Sequence, residues 1–346
     1  MIPYLLVLGF VILWVVLERK SLNRKAFWIP LTTLSLFAGL RSYQVGTDSG
    51  TYTRLFRSNL NIYNFEFQEN VELGYQLLEY MLLRMNADYF WLFFLSSIII
   101  VYCYLTIIKR YSVNYTFSVF LFITLGVYTF FFNGLRQGIA MAVFTIALPF
   151  LIEKRLIIYL IICFVGSLFH ISALFMIPFY FIVNLRVKPI YKILATFLGS
   201  LLTSRLAVSY VAGTNERYEG YAQVTESTGG HLTLGFQTML VLFVYSFIYI
   251  YRIKNKQFLK IFTFYASGVL FVIPLALLGT NPSGPQRLLS YFTWTLVLIL
   301  PFVFRKINNS YATAGTVILC LIYFVLTTSK FSNLSPYILN PAFRIF

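Results

Sequence analysis

Four short stretches of this chain carry the side chains from which anion binding and proton transfer are built. The first runs from Arg41 through Gly46, Thr47 and Asp48 to Tyr52, and Glu72, Gly74 and Tyr75 follow it. The second is the hairpin Phe132-Asn133-Gly134-Leu135-Arg136-Gln137-Gly138, where an arginine and two amides share one tight turn. The third centres on His170, set between apolar runs with Ser172 two residues on. In the fourth, Arg287 stands where a helix leading to Tyr291 should open, placed to meet an anion with the amides of a helix N-terminus. A guanidinium fork grips phosphate or carboxylate through two parallel N–H bonds. Arg136, Arg287 and Arg41 are therefore candidate anion ligands. Histidine is the side chain best placed near neutral pH to take a proton from a hydroxyl. His170 is the candidate base, with Asp48 or Glu72 able to orient it or to take the proton instead. Asn133 and Gln137 could orient a sugar beside a phosphate held by Arg136.

Plainer readings stand beside these. Arg41 could be a boundary charge snorkelling at a helix end, and Asp48 a turn or N-cap residue before the helix that carries Tyr52. His170 could be a structural ring bonded to Ser172, and the Arg136 hairpin could simply be wet.

The elements that must hold these groups are mostly hydrocarbon. Hydrophobic residues make up 59% of the 346, charged residues only 11%, and the mean hydropathy is +0.77. A soluble chain is about a quarter charged, so lipid is the solvent here. The fold expected is all-α and polytopic: a single membrane domain, residues 1–346, with about twelve spans, some short. The candidates are Ile2 to Leu17, Ala26 to Leu40, Tyr89 to Ile108, Tyr115 to Phe132, Gly138 to Ile152 and Leu156 to Phe169. Then come Ile171 to Leu185, Pro189 to Ala212, Leu232 to Tyr251, Ile261 to Gly279, Leu288 to Phe304 and Tyr311 to Thr328. The first reads as a retained span, since it lacks a basic leader and a small-residue cleavage site. Two loops are large, residues 41–88 and 205–231. The former should contain an amphipathic helix from Glu72 to Arg84, because its apolar residues recur at helical spacing. The latter holds Asn215, Arg217, Tyr218 and Tyr221, groups suited to stacking on sugars.

Charge sets the orientation. Arg19, Lys20, Arg24, Lys25, Lys109, Arg110, Lys154, Arg155, Arg186, Lys188 and Lys192 fall in one set of loops, with Arg252, Lys254, Lys256, Lys260, Arg305 and Lys306. Assigning that set to the cytoplasm leaves both termini outside. It also requires two short helices meeting at His170; one long helix would invert every basic loop downstream. The opposite face has nine arginines, one lysine and nine of the eleven acids. So strong a preference for Arg points to a bound anion or to internal Arg–carboxylate pairs.

The net charge of +16 is spread between apolar runs, unlike the clustered face of a nucleic-acid binder. Cys103, Cys163 and Cys320 are far apart inside such runs, and only two histidines exist. No metal site or disulfide framework is expected, and no P-loop or dinucleotide fingerprint is present, so no cofactor is either.

In order along the chain, Arg41…Gly46-Thr47-Asp48…Tyr52, Glu72-x-Gly74-Tyr75, Asn133-x-x-Arg136-Gln137, His170-x-Ser172-Ala173 and Arg287 with Tyr291 resemble the EpsG family of Wzy-like polysaccharide polymerases. The resemblance covers nearly the whole chain. It implies a glycosyltransferase that moves a growing glycan from undecaprenyl pyrophosphate to the non-reducing end of a lipid-linked repeat unit, at the outer face of the cytoplasmic membrane. Its expected partners are that lipid-linked oligosaccharide, membrane lipid and a chain-length regulator protein. Arg136, Arg287 and Arg41 would then hold pyrophosphate, while Asn133, Gln137, Tyr52, Tyr75 and Tyr291 would meet sugar. An O-antigen ligase or lipid-phosphosugar glycosyltransferase shares the donor, and a flippase shares the ligand. Asp48 has no adjacent acid, which counts against the transferase, and few charges lie mid-span, which counts against transport. An outer-face acyltransferase could also use a single histidine, but only short basic loops face its donor side.

Overall fold

The computed structural model describes residues 1–58, 62–86, 88–214, 231–279 and 284–343. Among them the chain is helical, without a named strand. Eight helices are long and apolar enough to cross a bilayer. A ninth span is added if the pair Gln286–Thr293 and Leu296–Ile307, bent by 47°, counts as one. Three shorter apolar helices, Trp28–Gly39, Leu156–Ser167 and Ile171–Asn184, complete the twelve apolar segments seen in the sequence. A helix of twelve residues, such as Leu156–Ser167, rises about 18 Å, well short of a hydrocarbon core of about 30 Å. Eight or nine segments therefore have the length to cross, rather than all twelve.

The chain divides into two compact units. The first comprises Met1–Ala147, Ile161–Leu174 and Leu300–Phe346. Its helices begin with α1 (Ile2–Leu22), α2 (Trp28–Gly39), the short turns α3 (Ser49–Tyr52) and α4 (Arg54–Arg57), and α5 (Leu73–Met85). Next come α6 (Phe90–Tyr111), α7 (Tyr115–Thr124) and α8 (Leu135–Thr145). The second unit, Leu148–Leu160 with Phe175–Ile299, starts at α9 (Leu148–Glu153). After it α10 (Leu156–Ser167) passes into the first unit, and α11 (Ile177–Asn184), α12 (Pro189–Thr214), α13 (His231–Ile250), α14 (Lys256–Leu277) and α15 (Ser290–Thr293) belong to the second. Finally α16 (Leu296–Ile307) returns to the first unit, which α17 (Ser310–Leu326) completes.

Local chemistry explains the helix ends. Lys109 and Arg110 occupy the last turn of α6, and Arg305 and Lys306 that of α16, where cations meet the negative end of the helix dipole. Asparagines restart the chain after such ends. Asn114 accepts the Phe117 amide, Asn255 the Phe258 amide and Asn309 the Ala312 amide, each an N-cap.

In the first unit, tyrosine hydroxyls bond backbone carbonyls of other segments. Tyr128 donates to Leu34 O (2.7 Å), Tyr4 to Leu334 O (2.7 Å) and Tyr115 to Ala26 O. The chain after α17 returns to this unit: Tyr337 stacks on Phe37 (4.3 Å), and Ser42 N–H donates to Ile338 O (2.7 Å). In the second unit, Lys260 of α14 donates to Ile152 O (2.7 Å) and to Asn184 Oδ1 (2.8 Å), which joins α14 to the ends of α9 and α11.

The break argued from charge is present. α10 stops at Ser167, residues 168–170 turn, and a 3₁₀ helix (Ile171–Met176) leads into α11. The amphipathic helix expected from Glu72 to Arg84 is α5, with Tyr75, Gln76, Glu79 and Leu82 on its buried face. Most of the loop expected at 205–231 lies outside the described residues.

Candidate active site

Three of the four chemically equipped stretches converge in the first unit, and two glycines show how. Gly74 sits in the first turn of α5, and its amide donates to Leu168 O (2.8 Å), as does that of Tyr75 (3.3 Å). A Cβ on Gly74 would lie 2.8 Å from that same oxygen, so only glycine lets α5 rest on the turn that carries His170. Gly46 has φ of 101°, and a Cβ there would come within 2.6 Å of Asn133 Oδ1 and of Phe132 O. Asn133 Oδ1 accepts the Thr47 amide (2.9 Å), while Asn133 Nδ2 donates to Ser332 O (2.7 Å). The Gly46-Thr47-Asp48 loop is thereby fastened to the Arg136 hairpin.

Glu72 is the hub. Its Oε2 takes a charge-assisted hydrogen bond from Arg136 Nη1, and its Oε1 accepts the Ile171 amide (3.3 Å). Both side chains are nearly enclosed, at 8% exposure for Arg136 and 12% for Glu72. One carboxylate therefore ties the start of α8 to the residue after His170. The Arg136 guanidinium also lies 5.8 Å from the Tyr75 ring centroid, and Tyr75 meets Tyr52 edge-on at 6.0 Å.

Beyond Tyr75 lies Glu79, which the sequence reading counted only among the outer acids. The Tyr75 hydroxyl donates to Glu79 Oε1 (3.2 Å). Burial pushes the Glu79 carboxyl up to about 7, against the opposing pull of the Tyr75 bond and the charges of Arg136 and Arg54. Burial and Glu79 in turn push the Tyr75 phenol well up. The signal available in the sequence was spacing: Glu72, Tyr75 and Glu79 stand at i, i+3 and i+7, one face of a helix.

His170 is half-buried, with Nδ1 2.7 Å from Ser172 Oγ and accepting the Ser172 amide (3.2 Å). A ring nitrogen that accepts an amide proton carries none itself, so the neutral ring holds its proton on Nε2. Ser172 thus fixes the tautomer. Asp48 occupies the N-cap position of α3 but makes no side-chain bond to its amides. Gln137 is buried beside Arg136 in sequence, and Tyr52 is half-exposed.

Arg41 is fully buried and held differently. Its guanidinium lies over Phe93 (3.6 Å to the centroid) and Phe132 (4.1 Å), and Nη1 donates to Ala38 O (2.9 Å). Among the described residues no acceptor meets its Nε or Nη2. Burial lowers its pKa to about 10, so it stays charged at neutral pH. Arg287 and Tyr291 belong to the second unit. Arg287 is half-exposed in the 3₁₀ turn Pro285–Leu289, and Tyr291 is fully buried in α15.

The apolar helices define a polytopic α-helical membrane protein, and in its first unit three of the sequence motifs meet around one carboxylate–arginine pair. Residues 25–339 match the EpsG family, and the chain belongs to it. No curated protein and no solved structure matches the chain.

Proposed function

We propose that this protein is a polysaccharide polymerase: it transfers a growing glycan from undecaprenyl pyrophosphate to the non-reducing end of a lipid-linked repeat unit. The reading places it in the cytoplasmic membrane, with the cluster and both termini at the outer face. Membership of the EpsG family supports it. The observation that carries it is the buried Arg136–Glu72 pair fastened to the His170 turn.

That pair suits the reaction. In the free protein Arg136 is neutralised by Glu72; an arriving pyrophosphate competes for the guanidinium and releases the carboxylate beside itself. Without its cation, the Glu72 carboxylate has an oxygen free to take a proton from an acceptor hydroxyl. The acceptor hydroxyl oxygen bonds to the anomeric carbon, and the bond from that carbon to the pyrophosphate oxygen breaks. The electron pair leaves on pyrophosphate, and the hydroxyl proton passes to Glu72. Arg136 meets the charge that builds on the leaving group, a contribution of about 10²–10³ in rate for one donor of this kind.

His170 was the first candidate for the base. With Nδ1 occupied by Ser172, the neutral ring offers an Nε2 proton, which suits a phosphate oxygen better than a hydroxyl. Asp48 and Tyr52 are proposed to meet the sugars, with Asn133, Gln137 and Tyr75, buried or already bonded, holding the loops around them. Arg41 is proposed to support the hairpin through Phe132, and half-exposed Arg287 keeps the anion-binding role that the family motif implies, while buried Tyr291 packs the helix after it. A chain-length regulator remains the proposed protein partner.

The test is reconstitution with a lipid-pyrophosphate-linked repeat unit from the protein's own pathway. A product ladder from wild type, lost in Arg136→Ala and weakened in His170→Ala, supports the polymerase. Transfer to another acceptor without a ladder makes the protein a ligase. Lipid-linked units that cross the bilayer without any transfer would leave a flippase.

A further inference from the structure

At the other end of the first unit's helices is a cleft of about 810 Å³ that the proposed reaction does not use. The axis of α6 connects the two regions. Phe93, on its first turn, holds Arg41, while Arg110, on its last, lines the cleft. Seventeen residues separate them, about 26 Å along a helix. The cleft is therefore a separate site.

Its walls are one-sided in charge. Arg19 and Arg24 come from the end of α1 and the segment after it, Lys25 from the same segment, Arg110 from α6 and Arg305 from α16. Among the described residues, no acidic side chain lines it. Glu18, bound by Arg24 Nε (2.7 Å) and Trp14 Nε1 (2.6 Å), is itself buried at 7% exposure. Burial, and after it crowding by the like charge of Lys109 outside the lining, pushes the Lys25 ammonium down. Lys25 Nζ already donates to Lys109 O (2.5 Å), and Arg305 Nη1 to Val113 O (3.3 Å), so the heads are held at the rim. A concave site walled by one sign of charge concentrates counter-ions. An anion seated there would relieve the crowding.

We propose that this cleft binds the phosphate-bearing headgroup of an anionic membrane phospholipid. Arg19, Arg110 and Arg305 belong to the last turns of apolar helices, with Arg24 and Lys25 in the segment just after one, and basic pockets between membrane helices are suited to such heads. The volume exceeds what a single phosphate needs and admits a headgroup with more than one. Arginine forks supply bidentate contacts to the phosphate oxygens.

The experiment is native mass spectrometry of the purified full-length protein titrated with cardiolipin, phosphatidylglycerol or phosphatidylcholine. Each cation removed near a headgroup weakens binding about fivefold. The triple variant Arg19→Gln, Arg110→Gln, Arg305→Gln should therefore bind cardiolipin about a hundredfold more weakly than wild type. Arg24 is left in place, because its loss would strand Glu18. The variant Arg186→Gln, Lys188→Gln, Arg252→Gln removes three cations from other loops and should bind as wild type does. Equal cardiolipin binding by wild type and the first variant would overturn the site, as would equal loss in both variants. Phosphatidylcholine bound as well as cardiolipin would overturn the charge argument. Displacement of cardiolipin by millimolar inorganic phosphate would make the ligand a free anion and overturn the lipid assignment. A single Arg110→Glu variant, exposed and outside the packed core, repeats the test if the triple variant fails to fold.

Discussion

Glu79→Gln keeps the shape of the side chain and its acceptor for Tyr75 but abolishes its titration. A carboxyl raised from an ordinary 4.5 to about 7 takes up a proton when the chain folds. Its stabilising contribution is complete below pH 4.5 and is lost as pH rises through 7. The rise corresponds to about 3 kcal/mol, at about 1.4 kcal/mol per pH unit. Over a unit of this size that is about 9 °C in Tm. Tryptophan fluorescence on the purified protein, melted at a series of pH values between about 5 and about 8, should show wild type losing roughly that much as pH rises. Glu79→Gln should melt at one temperature throughout and exceed wild type at the alkaline end. The same ionisation puts a second negative charge beside Arg136 and Glu72. Donor KM should therefore rise through pH 7 in wild type and stay level in Glu79→Gln, with kcat little changed. Parallel pH slopes in the two proteins would refute the reasoning, for they would mean that Arg136 and Arg54 outweigh burial and that Glu79 is ionised throughout.

Other substitutions test the remaining links. Arg136→Gln strands the Glu72 carboxylate, which should lower stability by about 3–5 kcal/mol; adding Glu72→Gln should restore most of the melting temperature and none of the polymer ladder. Gly74→Ala drives a methyl group against the Leu168 carbonyl, so Tm and ladder should fall together. Gly9→Ala, which has open space around the new methyl group, should leave both intact or raise Tm slightly. Arg41→Lys gives up planar stacking on Phe93 and Phe132 and should lower stability by about 2 kcal/mol, read as an earlier thermal transition.

The spans were legible because hydrocarbon runs bounded by Lys and Arg leave few alternatives. The turn at His170 was legible for a less direct reason: charge on loops as distant as Arg305 demanded it, and α10 does stop at Ser167. Length was the weaker guide, since Trp28–Gly39 and Leu156–Ser167 are as apolar as true spans but too short to cross unaided. The convergence of the motifs was out of reach of local pattern. Glu72 meets Arg136 across 64 positions and Ile171 across 99. Gly46 and Gly74 acquire their reasons only once Asn133 and Leu168 are docked against them. Asp48 was legible in position, at the N-cap of the helix that carries Tyr52, but not in its bonding. It stands where an N-cap would, yet its side chain makes no such bond, because residue type and position suggest a cap without enforcing one.

The arginine-rich face posed a choice between a bound anion and internal carboxylate pairs, and the structure adds a third term. Arg136 has a carboxylate partner. Arg41 lies over Phe93 and Phe132, Arg57 over Tyr43 (4.0 Å) and Arg84 over Tyr80 (5.5 Å). A planar, weakly hydrated guanidinium can lie on a ring in a way that a compact ammonium does less well, which explains Arg in place of Lys without any ligand. Stacking, however, does not neutralise charge as an ion pair does. A ring fixes where the guanidinium sits and leaves its monopole to act on whatever arrives. Each stacked guanidinium therefore keeps its local positive field while staying ordered, and Arg136 combines both devices, with Glu72 as its ion pair and the Tyr75 ring nearby. If that field matters, Tyr43→Leu should disorder Arg57 and raise donor KM with little change in kcat. Arg57→Gln should raise KM by a similar factor, and Tyr43→Leu added to Arg57→Gln should have no further effect. An additive double variant would show that the ring acts on substrate directly, not through the charge it holds.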